Sequence, residues 1–403
     1  MAVDRFKGPL NSIRILDLST MIAAPFGATL LADFGADVIK IEMPGKGDSL
    51  RDMGPFKDDE PLRWPGLARN KKSLTLDLHL DEAKEIFKQL VRKSDVVIEN
   101  FRPGTLEKWG IGYEDLKKEN DQLIMIRVSG YGQTGPNAPK AGFGTPATAY
   151  SGFTYLSGFT DRAPISPSFS LTDYVTGIYV AFATSAALYY RDTNEAGVGQ
   201  FVDIGLYESM FRMMEFLVAD YDQNGVIKQR SAGLSGHSSP AGTFITKDDH
   251  WVVLVTSSDR TFERLAHAMG REDMLTDEKF YTNSVRLQHF ELTNGIVAEW
   301  VRTLNREQLF RLLDEQGVPV SLIYNIKDIF EDEHFREREN IIEVSHPRLG
   351  TIKMPGIVPK FSETPGEVRH VGPDLGEHSE EILRELLQFS AEEIARLKEK
   401  KVI

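Results

Sequence analysis

Short apolar runs alternate with amphipathic stretches through the first 130 residues. Ile13–Leu18, Ala36–Ile41, Ser73–Asp77, Asp95–Glu99 and Leu123–Val128 are five or six residues long and dominated by Ile, Leu and Val. Runs of that length and character predict strands. Between them, Ala24–Phe34 has helical spacing of apolar positions, and Asp81–Lys93 is amphipathic with an acidic first turn suited to the helix dipole. Leu106–Trp109 adds a short helix. Strands alternating with helices predict a parallel sheet covered on both faces. The pattern breaks at Gly130–Pro167, crowded with Gly, Pro, Ser and Thr. Tyr174–Arg191 then predicts a long helix, close-packed because Gly177, Ala181, Ala183, Ala186 and Ala187 are small. Phe201–Ile204 and a Met-rich helix over Gly205–Phe216 follow, and Gln223–Thr243 reads as loop. From Thr243 the pattern predicts an antiparallel hairpin turning at Lys247–His250, then short helices to Gln316. Ile341–Phe361 has hairpin-like pieces and Ser379–Lys401 predicts an amphipathic helix. The organisation expected is an α/β large domain beginning over residues 1–200, a linker at 201–225, a smaller α+β domain at 226–325, and a returning segment at 326–403.

Composition narrows the function. The chain has 47 Lys+Arg against 60 Asp+Glu, a net charge of −13. That excess of acid disfavours nucleic acid as a partner, since phosphate binding needs a basic face. There is no cysteine, which removes disulfides, thiolate metal sites and a Cys nucleophile together. The longest apolar window, Ile178–Tyr190, is too short to span a bilayer, and the start MAVDRFKGPL has no signal-peptide core. A cytoplasmic protein without a membrane partner is expected.

Familiar catalytic motifs fail on context. Gly130-Tyr-Gly132-Gln-Thr-Gly135 has dinucleotide-fingerprint spacing, but Pro136 and Pro139 stop a helix from opening there. The nine His show no metal-ligand spacing, and no G-x-S-x-G elbow is present. Asp173 stands out, because the long helix starts beside it. Thr172 or Asp173 reads most simply as an N-cap. A carboxylate there is also expected to stay ionised through the dipole, as acyl transfer requires.

The block Pro9–Arg51 resembles the start of class III CoA-transferases, the formyl-CoA:oxalate and carnitine type. So do Asn70–Asp77, Asp95–Gly104, Ser129–Pro136, Ser170–Gly177 and Leu375–His378, in family order across nearly the whole chain. One departure is Ala23-Ala24-Pro25, where the family carries A-G-P. The resemblance implies a Rossmann-like, CoA-binding large domain with an inserted smaller domain, in an interlocked, ring-like homodimer. It implies an enzyme that moves CoA from an acyl-CoA to a carboxylic acid, with CoA as substrate, no permanent cofactor and no metal. Asp173 falls on the family's nucleophile, which forms a mixed anhydride and then an aspartyl-CoA thioester. The matching CoA-binding positions are Lys40, Lys71, Lys72, Asn100, Phe101, Arg102, Lys108 and Lys140. The glycine loop Gly233–Gly242, including Gly236 and Gly242, is the candidate for oxyanion stabilisation. Phe153, Tyr155, Phe159, Arg162, Phe169 and Tyr174 flank the nucleophile and suit either an acyl pocket or a packed loop. Two alternatives stay open. A 2-methylacyl-CoA racemase would share the fold, but Phe143 stands where its acid/base His would be. A non-catalytic CoA-ester binder would have no use for Asp173.

Overall fold

The computed structural model describes residues 8–232 and 236–403. Six strands form the main sheet: β1 (Arg14–Asp17), β2 (Asp37–Glu42), β3 (Lys71–Thr75), β4 (Val96–Glu99), β5 (Ile124–Ser129) and β6 (Phe201–Gly205). All pairs are parallel, in the order β3-β2-β1-β4-β5-β6. This is the order of the doubly wound Rossmann sheet. The strands read as continuous apolar runs because both faces are covered. Successive residues point to opposite sides, so Leu16, Ile39, Leu74 and Val97 share one core with Ile86, Phe87 and Leu90 of helix α2 (Asp81–Val91). Ile15, Val38, Ile98 and Ile126 share the other with Ala24 and Ala28 of α1 (Ala23–Asp33).

That second face also carries α3 (Gly144–Tyr150), α4 (Leu171–Thr193) and α5 (Leu206–Phe211). Helices α1 and α4 cross with their backbones nearly touching. A Cβ on Gly177 would lie 2.7 Å from the Ala23 carbonyl oxygen, and one on Gly27 would lie 2.5 Å from Val180 Cγ1. The small residues therefore seat the first turns of α4 directly on α1.

Several segments differ from their sequence patterns. The segment 201–225, assigned to a linker although a strand and a helix were expected in it, carries β6 and α5 and, beyond the pattern, α6 (Glu215–Asn224). The loop-like stretch before residue 167 contains α3, whose Pro146 sits in the first turn, where no helix hydrogen bond is lost. The C-terminal helix is interrupted after Leu386 and resumes over Ala391–Glu399. Ser390 and Glu393 form its capping box. Ile394 and Leu397 then join the core built by the first hundred residues.

The chain divides into two compact units. The first comprises the chain up to Thr154, Ser166–Val226 and Glu337–Ile403; the second comprises Tyr155–Ile165 and Ile227–Arg336. In the second, β7 (Ala241–Ile245), β8 (Trp251–Val255) and β9 (Val320–Leu322) form an antiparallel sheet in the order β9-β8-β7. The predicted hairpin lies between Ile245 and Trp251. Val252 and Leu254 point into a core with α7 (Asp259–Met269), α8 (Phe290–Thr303) and α9 (Arg306–Gln316). The hairpin-like tail forms β10 (Ile341–His346) and β11 (Gly350–Pro355) in the first unit. Among the described residues no helix is long and apolar enough to cross a membrane.

Candidate active site

Strands β1 and β4 are neighbours, but the chain leaves their carboxyl ends toward opposite sides of the sheet. Such a switch point leaves a crevice where doubly wound sheets bind ligands. A cavity of about 310 Å³ opens there, lined by Thr20, Ala23, Phe101, Arg102, Lys140 and Asp173 among others. The two loops at the switch point are fastened together by Asn100. Its amide nitrogen donates to the Thr20 carbonyl at 2.8 Å, and its oxygen accepts from the Thr20 N–H at 2.9 Å.

Beneath the Thr20 loop lies a buried cluster of charge. Lys71 donates to Asp17 at 2.8 Å and to the Pro25 carbonyl at 2.7 Å. Lys40 pairs with Asp48 at 2.9 Å and donates to the Ser19 carbonyl. Asp48 in turn accepts from the N–H groups of Met21 and Leu50. Burial alone would raise the Asp17 carboxyl, but the ammonium groups of Lys40 and Lys71 outweigh it and hold the group below its ordinary value. The cluster fixes the loop that enters α1, and with it one wall of the cavity.

Asp173 is the third residue of α4; Ser170, not Thr172 or Asp173, occupies the N-cap, and it makes no capping hydrogen bond through its side chain. The dipole does not dominate the carboxyl as expected. Burial pushes it up to about 6, with only a backbone hydrogen bond opposing. It is still largely ionised at neutral pH. Among the described residues it makes no salt bridge, so its oxygens are not committed to a cation. Phe143 also lines this cavity and is 68% exposed; its ring cannot carry a proton for racemisation.

The candidate cations separate into three groups. Arg102 and Lys140 are exposed on the cavity wall and form no ion pair among the described residues. Lys40 and Lys71 are each only 1% exposed and are engaged by carboxylates, so they brace the wall of this cavity from behind, and Lys40 also borders the second cavity. Lys72 pairs with Glu381 at 2.7 Å, and Lys108 is exposed; neither lines the cavity. Phe101 borders both this cavity and a second one of about 220 Å³, which also exposes Lys46, His79 and Trp109. There the Trp109 ring meets Phe101 at 5.3 Å and His79 at 4.9 Å between centroids, both edge-on.

The glycine loop is only partly described. Gly233, Leu234 and Ser235 lie outside the described residues. Gly236 has a positive φ of 74°, the conformation glycine favours. Gly242 is not in a loop: it pairs with Leu254 within β7. Of the aromatic residues flanking Asp173, Tyr174 packs edge-on against Phe26 at 4.9 Å, with Phe169 beside it.

Three residues escaped the sequence reading. Met21, with φ of 70°, turns the Thr20 loop into the cavity. Ser129, at the end of β5, lines the cavity with a buried hydroxyl that has no hydrogen-bond partner among the described residues. Gly144 abuts Asp173. An isolated Met, Ser or Gly carries no periodic signal, although Ser129 lies in a block that resembles the family.

Comparison with known proteins identifies the family. Succinyl-CoA–D-citramalate CoA-transferase of Chloroflexus aurantiacus is 43% identical over 404 residues, covering 100% of both chains. Human succinyl-CoA:glutarate CoA-transferase is 31% identical, covering 96% of this chain and 88% of its own. A CAIB/BAIF family protein from Brucella suis superimposes with a TM-score of 0.83 at 30% identity, over 94% of this chain and 99% of its own. Residues 10–379 match CoA-transferase family III. A parallel Rossmann sheet with an unpaired carboxylate at its switch point, in a chain so matched end to end, belongs to CoA-transferase family III.

Proposed function

We propose that this CoA-transferase takes CoA from succinyl-CoA and gives it to a second small carboxylic acid, with Asp173 as the nucleophile. The observation that carries the reading is Asp173 itself: an unpaired carboxylate facing a ligand-sized cavity at the switch point. The donor and acceptor classes are taken from the relatives, which include CoA-transferases named for succinyl-CoA with citramalate, malate, glutarate and mesaconate.

The chemistry conserves bonds at each step. An Asp173 oxygen attacks the thioester carbonyl, the C–S bond breaks, and CoA leaves as thiolate from a mixed anhydride. The thiolate attacks the Asp173 carbonyl carbon, releasing the donor acid as carboxylate and leaving an aspartyl-CoA thioester. The acceptor carboxylate attacks that thioester and expels the thiolate, which then attacks the acceptor's acyl carbon and restores Asp173. A carboxylate suits this role because its own carbonyl can become an activated thioester. The Ser129 hydroxyl supplies a buried donor for a substrate carbonyl, and its lack of a protein partner supports that assignment. Arg102 and Lys140 face the anionic part of CoA. The adenine end occupies the second cavity, against Phe101 and Trp109.

Supplying succinyl-CoA or acetyl-CoA with a panel of carboxylic acids, and weighing the CoA esters formed, tests the function. New esters are expected from succinyl-CoA and small acids; no transfer from succinyl-CoA to any acid would overturn it. Hydroxylamine added with acyl-CoA should convert Asp173 to a hydroxamate, found in the peptide between Arg162 and Arg191. A hydroxamate at Asp161 instead would move the nucleophile. Asp173→Ala should abolish turnover while acyl-CoA binding survives.

A further inference from the structure

We propose that Gly144, locked by the hydroxyls of Thr148 and Thr172, is a positioning element that seats the Asp173 carboxylate. The role given to that seat in catalysis rests on Asp173 being the nucleophile; its existence does not.

The geometry is specific. A Cβ on Gly144 would lie 2.0 Å from Asp173 Oδ2, 2.7 Å from its Cγ and 3.0 Å from Oδ1. The carboxylate thus fills the volume that any other residue at position 144 would claim. Real Cβ atoms do not come that close to oxygen, so even alanine must displace either the carboxylate or the start of α3. The start of α3 is poorly placed to give way. Thr148 Oγ1 donates to the Gly144 carbonyl at 2.8 Å. With that proton committed, the contact between the two threonine hydroxyls runs from Thr172 to Thr148 Oγ1. Thr172 directly precedes Asp173, and both threonines are buried. A continuous chain of bonds therefore joins the Gly144 backbone to the turn of α4 that carries the nucleophile.

This arrangement also accounts for the environment of the carboxyl. The backbone of Gly144 shields one side of it from water while offering no charge. Tyr174 on α4 and, across the cavity, Arg102 and Lys140 are the ionisable groups around it; Arg63 acts on Tyr174. Among the described residues no cation is within ion-pair distance of it. Partial desolvation raises the reactivity of an oxygen nucleophile, and a fixed orientation keeps it near the attack geometry.

The test is titration of Asp173, isolated as the difference between wild type and Asp173→Asn in carboxyl-carbon NMR of uniformly Asp-labelled protein. Wild type should titrate near 6. In Gly144→Ala the carboxylate is pushed toward solvent, and the midpoint should fall toward the ordinary value of about 4. Turnover should fall about a hundredfold, as expected for a nucleophile misplaced by about 1 Å, while the dissociation constant for the acyl-CoA stays within about threefold. Thr148→Val keeps the shape and removes both hydroxyl bonds; it should lower kcat about five- to tenfold, the worth of about one buried hydrogen bond. The acid limb of its pH–rate profile should shift to lower pH. An unchanged Asp173 midpoint in Gly144→Ala, or in a folded Thr148→Val, overturns the seat. Retained turnover in Asp173→Ala overturns the nucleophile instead, and the titration still decides the seat.

Discussion

Asp173 shows two residue-scale influences in opposition. A position in the first turn of a helix favours the charged carboxylate, while burial disfavours it, and here burial prevails. The consequence for stability has a definite sign. The folded carboxyl holds its proton up to about 6, whereas in the unfolded chain it gives it up near the ordinary value of about 4. Its favourable contribution is complete below about pH 4 and is lost as pH rises through about 6, above which a partly buried charge is a constant cost. Asp173→Asn should therefore melt at a higher temperature than wild type at pH 8, and the gap should close toward pH 4. Equal melting temperatures at pH 8 would contradict the buried environment described for this side chain.

Elements act through the buried charges that join them. Lys71 on β3 reaches Asp17 on β1 and the Pro25 carbonyl in α1, and so ties two strands to the helix on which α4 rests. Removing one partner of a buried pair leaves the other uncompensated, at a cost of about 3–5 kcal/mol. Lys71→Met should lower the unfolding free energy extrapolated to water by that amount, read as a lower urea midpoint with an unchanged slope. Adding Asp17→Asn should recover part of the loss. If Lys71→Met alone leaves the midpoint unchanged while weakening acyl-CoA binding, Lys71 contacts ligand rather than the wall. Helices α1 and α4 meet backbone to backbone at Gly27 and Gly177, so a bulkier residue there should move the helix that carries Asp173, and destabilisation and lost turnover should appear together.

The whole molecule leaves an apolar face on the first unit exposed: Ile178, Phe182 and Tyr189 on α4, Phe216, Val218 and Tyr221 on α6. Phe182 and Val218 border one shallow cavity, and exposed apolar clusters of this kind mark contact surfaces. They support the homodimer implied by the family resemblance, expected in light scattering at twice the 45.3 kDa of one chain. A mass of one chain at micromolar concentration would remove that assignment. Net charge acts at this scale too. An excess of 13 negative charges repels an anionic substrate at long range, and under the proposed function Arg102 and Lys140 on the cavity wall would supply the local attraction.

The strands and the long helix were legible along the chain, and so was the position of Asp173, the proposed nucleophile. Hydrophobic periodicity is a local property, and β1–β5 follow the apolar runs closely. Asp173 was marked by its block and by the helix beginning beside it. The roles of the cations were not legible. Lys71 and Lys140 are the same residue type in equally suggestive blocks, yet one is spent on a carboxylate 54 positions away and the other faces the cavity. Helix α3 was hidden because Gly144, Thr145 and Pro146 have poor helix propensity, and packing of Ala147 against the second core supplies what propensity lacks. Gly144 reads as a loop glycine until α4 brings Asp173 against it across nearly thirty residues. Local pattern sets which segments become strands and helices. Which charges are paired, and which glycine must stay bare, depends on contacts between positions far apart in sequence, and these exist only once the chain has folded.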